Sequence, residues 1–177
     1  SQAYTRAATG GTGAAKCGGN YAASLIAQAE ASAHGCDQVV FLDAAERRWV
    51  EELGGMNVFF VFKDGSVITP PLTGTILPGI TRKSLMQLAS DAGTAIEERP
   101  YAFDQWQADA ASGHLVEAFA CGTAAVVAGI GKVRHDGGEF LIGDGQTGPV
   151  TRRLREALVS LQRGQSNDPY GWVRTIG

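Results

Sequence analysis

Gly10–Leu25 reads GGTGAAKCGGNYAASL, and the interpretation of this stretch governs the reading of everything after it. Five glycines, one lysine and one tyrosine run straight into a helix-like pattern. Glycine lets the backbone approach a ligand closely and adopt conformations that other residues avoid. Lys16 carries the only side chain of the stretch able to do covalent amine chemistry. A phosphate-binding P-loop is excluded. That motif requires glycine directly before its lysine and Ser or Thr directly after it, whereas Ala15 and Cys17 flank Lys16.

Outward from the loop, composition bounds the answer independently. A chain of 177 residues is long enough to bury a sizeable core and is expected to form one domain. Its 44% hydrophobic and 19% charged residues, with a net charge of −3, are ordinary for a soluble globular protein. No strongly basic patch argues for nucleic acid, and no apolar run approaches a membrane span. No signal-peptide pattern opens the sequence. Three scattered cysteines (Cys17, Cys36, Cys121) argue against a disulfide framework and point to a reducing cytoplasm. His34, His114 and His135 show no ligand spacing with cysteines or carboxylates, so no metal site is expected.

The hydrophobic pattern alternates between helix and strand periods. Ala22, Leu25, Ile26, Ala29 and Ala33 fall at helical spacing, and Gly35 is placed to stop that helix. Gln38 to Leu42 reads as a short buried strand, and Val58 to Phe62 as a longer one. Lys63-Asp64-Gly65 supplies a hairpin turn before Ser66 to Thr69. Leu85, Leu88, Ala89 and Ala92 mark a helix from about Thr81. A strand at 95–99 and a short helix at 104–111 follow. Further strands are expected at 116–120, 124–128 and 140–142, and Val150, Leu154, Leu158 and Leu161 stripe a last helix. The expected class is one mixed α/β domain over residues 1–177.

Four blocks of this chain resemble, in order, those of the branched-chain amino acid aminotransferases, pyridoxal-phosphate enzymes of fold type IV. They are GGTGAAKCGGNY, FLDAAERRWVEELGGMNVFFVF (Phe41 to Phe62), TPPLTGTILPGITRKSL (Thr69 to Leu85) and VEAFACGTAAVV (Val116 to Val127). The tail GQTGPVTRRLREALVSLQRG is similar to the family's closing helix. The resemblance implies a fold type IV large domain, with a twisted, barrel-like sheet and helices outside it. Family members carry a smaller domain before this point. Residues 1–177 therefore look like the cofactor-binding C-terminal large domain alone.

On composition, Lys16 reads as a solvated surface lysine and Glu52 as an exposed carboxylate at a strand end. The resemblance assigns them chemistry. Lys16 holds the aldehyde of pyridoxal 5'-phosphate and, once freed by substrate, becomes the base that moves the α-proton. Glu52 faces the pyridine nitrogen and keeps it protonated. Glu51 is the neighbouring alternative; alternation sends the two side chains to opposite faces, and alignment on Gly54-Gly55-Met56-Asn57 selects Glu52. Tyr21, capping or packing on its helix in the plain reading, hydrogen-bonds the cofactor's phenolic oxygen in the family pattern. Asn20 reads as a turn or N-cap residue.

LPGITRK suggests a phosphate cradle at a helix N-terminus. The resemblance puts the phosphate on the Ile80 and Thr81 amides and the Thr81 hydroxyl, although an N-cap role for Thr81 coexists with this. Thr123 joins the same phosphate, and the Ala124 backbone meets the substrate carboxylate. Gly55 and Met56 line the side-chain pocket or serve only in core and turn. Where some mammalian relatives carry a CxxC pair, this chain has Ala125 and Ala128. Cys17 and Cys121 read as small buried hydrophobes, and Arg152, Arg153 and Arg155 as a solvated helix face.

The activity implied is transfer of the amino group of leucine, isoleucine or valine to 2-oxoglutarate, giving glutamate, by a cytoplasmic homodimer of complete chains. The isolated 177-residue chain is expected to fold without being a competent enzyme. A D-amino acid aminotransferase or an aminodeoxychorismate lyase is the alternative within the class, disfavoured by the long glycine loop. A folded half without cofactor is the alternative outside it.

Overall fold

In the computed structural model, which describes residues 1, 3–174 and 176, the apolar run at Val58 to Phe62 becomes the middle of the molecule. Strand β3 (Asn57–Phe62) is buried at every position, which is why its residues run apolar without alternation. It lies between β4 (Val67–Thr69) and β6 (Leu115–Gly122), antiparallel to both. Strands β5 (Ile96–Glu98), parallel to β4, and β7 (Val126–Gly129) complete a five-stranded sheet of order β5-β4-β3-β6-β7. Two hairpin ladders accompany it: β1 (Val40–Leu42) with β2 (Val50–Leu53), and β8 (Lys132–His135) with β9 (Gly138–Leu141).

Four helices surround the ladders: α1 (Gly18–Ala33), α2 (Ile80–Asp91), α3 (Phe103–Ser112) and α4 (Pro149–Gln162). The mixed α/β class is the expected one, with the strands in three hydrogen-bonded ladders. The period of two along β3 splits the core. Phe59 and Val61 pack with Leu85 of α2 and with Leu154 and Leu158 of α4, while Val58, Phe60 and Phe62 pack with Tyr101 and Trp106 on the α3 side. Phe59 stacks on Phe119 across strands, and Trp106 meets Phe60 edge-on, centroids 4.9 Å apart in each pair.

Most elements fall where the pattern puts them, and the departures have local causes. The expected strand at 124–128 begins only at Val126, because Thr123 to Ala125 form the turn out of β6, with Val126 at φ +58°. The β8 strand escaped the pattern, since its alternating Lys132, Val133, Arg134 and His135 bury only Val133. The face of α1 is rotated from expectation. Asn20 and Ala27 are buried, while Leu25 is 68% and Ile26 52% exposed, so among the described residues the apolar stripe stays uncovered. Tertiary anchoring by Asn20, not hydrophobicity, chose the inward face.

Glu117, at the centre of β6, is buried yet fully engaged. Its carboxylate accepts from the amides of Val150 (2.9 Å) and Thr151 (2.8 Å) and from the Thr151 hydroxyl (2.7 Å). No residue at the start of α4 caps it with its own side chain, so a carboxylate distant in sequence does this work and also complements the helix dipole. Glu117→Ala leaves those donors buried without an acceptor. We expect a loss of about 2–4 kcal/mol of unfolding free energy in urea denaturation; a loss below about 0.5 kcal/mol would show that water replaces the carboxylate.

Candidate active site

The glycine loop is held by Asn20 rather than by a cap. Cys17 is the N-cap of α1, and Asn20 lies inside the helix with its side chain turned back on the loop. Its amide donates to the carbonyls of Thr12 (2.8 Å) and Ala15 (2.9 Å), and its carbonyl oxygen accepts from the Thr12 hydroxyl (2.9 Å). The expected turn or N-cap role is thus corrected: Asn20 closes the loop from within the helix. Gly13 packs so tightly on Thr75 that a methyl group there would overlap its backbone, which explains a glycine at this position. Between these anchors Lys16 is exposed.

Both carboxylates of β2 are buried, Glu51 at 8% and Glu52 at 1% exposure. Alternation does not send Glu51 to solvent: its carboxylate accepts from the Thr75 hydroxyl, while Glu52 accepts from the Leu77 amide at 2.5 Å. Arg6 supplies the neutralising cation, its Nε lying 3.0 Å from Glu52. Burial pushes the Glu52 carboxyl up to about 7, against the opposing pull of Arg6 and the Leu77 amide. Glu51 is raised too, first by burial.

The remaining predicted residues gather around the same end of β3. Gly54, at φ +59°, turns the chain between β2 and β3 and so places Gly55 and Met56. Tyr21, 41% exposed in the first turn of α1, lies against Gly55, and Met56 lies against Gly122 at the end of β6. Thr123 and Ala124 follow directly in the exposed β6–β7 turn. Asn57 donates to the Leu77 carbonyl (3.0 Å) and abuts Gly79, the N-cap of α2.

No side chain caps α2, whose first two residues are Ile80 and Thr81, so Thr81 is not its N-cap. Its leading amides carry no side-chain cap, and Ile80 among them is 78% exposed. An exposed amine, a buried carboxylate and an uncapped helix N-terminus fit the aldehyde, ring nitrogen and phosphate of a pyridoxal cofactor.

Two cysteines border this region and differ. Cys121 is buried, and its thiol is pushed up to about 12 by that burial. Cys17 is only half-buried, and polar contact with the Thr12 hydroxyl, then with the Asn20 backbone N–H, lowers its thiol. The expected inert, buried role therefore holds for Cys121 alone. The pattern-based reading also missed Arg6 and Thr75. For Arg6 a signal existed, since it is the only charged side chain before Lys16. Thr75 had none. Among the described residues, no helix is long and apolar enough to cross a membrane.

Comparison with known proteins addresses the family and the fold. The family described as amino-transferase class IV matches residues 7–133. A branched-chain-amino-acid aminotransferase of Mycobacterium tuberculosis is 59% identical over 98% of this chain and 48% of its own length. That of Mycolicibacterium smegmatis is 58% identical over 99% of this chain and 49% of its own. The chain thus spans about half the length of the curated relatives it matches.

Among solved structures, the branched-chain amino acid aminotransferase of Escherichia coli superposes with a TM-score of 0.80 at 37% identity, covering 96% of this chain and 54% of that one. The branched-chain aminotransferase of the thermophilic archaeon Thermoproteus uzoniensis, solved with norvaline, gives 0.74 at 32% identity, covering 90% and 48%. With the family matched over most of its residues and the fold shared with these enzymes, the chain belongs to the amino-transferase class IV family.

Proposed function

We propose that residues 1–177 form the cofactor-binding domain of a pyridoxal 5'-phosphate enzyme. In this reading it transfers the amino group of leucine, isoleucine or valine to 2-oxoglutarate, giving branched-chain 2-oxo acids and glutamate. The observation that carries this reading is the convergence of an exposed lysine loop, a buried carboxylate and an uncapped helix at one end of β3. The names of the relatives support the substrate class. The same reading takes the complete enzyme as a cytoplasmic homodimer serving branched-chain amino acid biosynthesis. The uncovered Leu25 and Ile26 support an assembly that buries that face.

When bound, pyridoxal phosphate supplies the electron sink that makes the substrate α-proton removable. Each residue of the chain has a defined share in that chemistry. Lys16 holds the cofactor through its Nζ and afterwards carries the α-proton as general base. Glu52 holds the ring nitrogen's proton. Tyr21 donates to the phenolic oxygen. The amides of Ile80 and Thr81, with the hydroxyls of Thr81 and Thr123, bind the phosphate. Ala124 meets the substrate carboxylate through its backbone, and Gly55 and Met56 border the side-chain pocket.

In the complete enzyme, Lys16→Ala is expected to abolish both turnover and the near-visible absorbance of the lysine-bound cofactor, while the circular dichroism stays native. Persistence of both band and rate would assign the chemistry elsewhere. For Glu52→Gln the expected result is retained cofactor with a rate reduced about a hundredfold or more. Steady-state assays with leucine and 2-oxoglutarate measure this, and a near-normal rate would point to Glu51 instead.

A further inference from the structure

Arg6 is 8% exposed, and its guanidinium reaches three segments that are far apart in sequence. Nε pairs with Glu52 of β2 at 3.0 Å. Nη1 donates to the Thr75 carbonyl at 2.7 Å, and both terminal nitrogens approach the Gly13 carbonyl, at 3.5 and 3.4 Å. Gly13 lies three residues before Lys16, and Thr75 lies five before the start of α2. Thr75 is gripped twice, by Arg6 on its carbonyl and by Glu51 on its hydroxyl. Arg6 is therefore a side chain that touches the lysine loop, the buried carboxylate and the lead-in to α2 all at once.

We propose that Arg6 is a positioning residue that locks the lysine loop to Glu52, aims that carboxylate and favours its ionised form. The proposal rests on Glu52 being the carboxylate that serves the cofactor ring. A planar guanidinium suits the task because its rigid fork binds a carboxylate on one edge and carbonyls on the others, which an ammonium cannot imitate. Charge supports the same role. Around Glu52 the titratable and charged groups are Arg6, Glu51 and Cys121, and Arg82 acts on Cys121 in turn. Of these, Arg6 is the one whose charge favours an ionised Glu52, against burial and the repulsion of Glu51.

The test follows the Glu52 carboxyl by carbon NMR in cofactor-free protein, with its signal assigned by its loss in Glu52→Gln. Arg6→Met is expected to raise the Glu52 titration by about one to three pH units. Arg6→Lys keeps the charge and should leave the titration within about half a unit of wild type. It cannot hold both carbonyls, so amide exchange at Ala15, whose N–H donates to Thr12, should quicken about tenfold or more.

A merely structural arginine would change the melting temperature without moving the Glu52 titration. An unmoved titration in Arg6→Met, or an equal shift in Arg6→Lys, overturns the electrostatic role. Unchanged exchange at Ala15 in Arg6→Lys overturns the loop role. Should Arg6→Met not fold, Arg6→Gln takes its place in the titration, while amide exchange in Arg6→Lys decides the loop role. A wild-type protein lacking the lysine-bound cofactor band would instead defeat the proposed function, while the Arg6 effects stay measurable without cofactor.

Discussion

The rest of the molecule depends on β3 being covered on both faces. Six consecutive buried residues leave no side of this strand for water, so each face demands its own layer. One layer is α2 with α4, and the other is α3 with the aromatic group of Tyr101 and Trp106. Burial of a Phe or Val side chain contributes about 1.5–3 kcal/mol, so β3 concentrates much of the driving force in one short segment. Because both neighbours are antiparallel, its N-terminal end coincides with the C-terminal end of β6. That coincidence brings Met56 to Gly122 and places the Thr123–Ala124 turn beside the β2–β3 hairpin.

Against this apolar frame the site is a buried ionic cluster. Two carboxylates and one guanidinium lie below a tenth exposed, and burying such charges costs several kcal/mol per ion before pairing offsets it. The offset comes from geometry. Each group finds partners: Glu52 the Leu77 amide and Arg6, Glu51 the Thr75 hydroxyl, and Arg6 two carbonyls. Replacement of buried ion pairs by hydrophobic groups of similar volume is often neutral or stabilising, so such a cluster is no sign of added stability. Pairing in this cluster therefore compensates the burial of its charges rather than adding to stability.

The glycine loop shows how local and distant constraints divide. Its backbone bonds are few and short-range, Gly11 to Ala8 and Ala15 to Thr12. Asn20 then ties the loop to α1, and Arg6 with Gly13 ties it to the 75–77 segment. Lys16 is thus exposed on a loop that is held at both ends.

Read by itself, the sequence determined the α/β alternation, the β3 run, the α2 and α4 stripes and the lysine loop. These depend on periodicity and on residue chemistry within a few positions. Resemblance, rather than periodicity, singled out Glu52 from Glu51 and linked four separated blocks to one cofactor. Tertiary structure alone decided which face of α1 turns inward, that Glu51 is buried beside Glu52, that Glu117 caps α4, and that Arg6 joins three segments. The physical reason is the same in each case. A buried polar group needs a partner, and for Glu51, Glu52 and Glu117 that partner lies in a different segment, which only the packed chain brings within hydrogen-bonding distance.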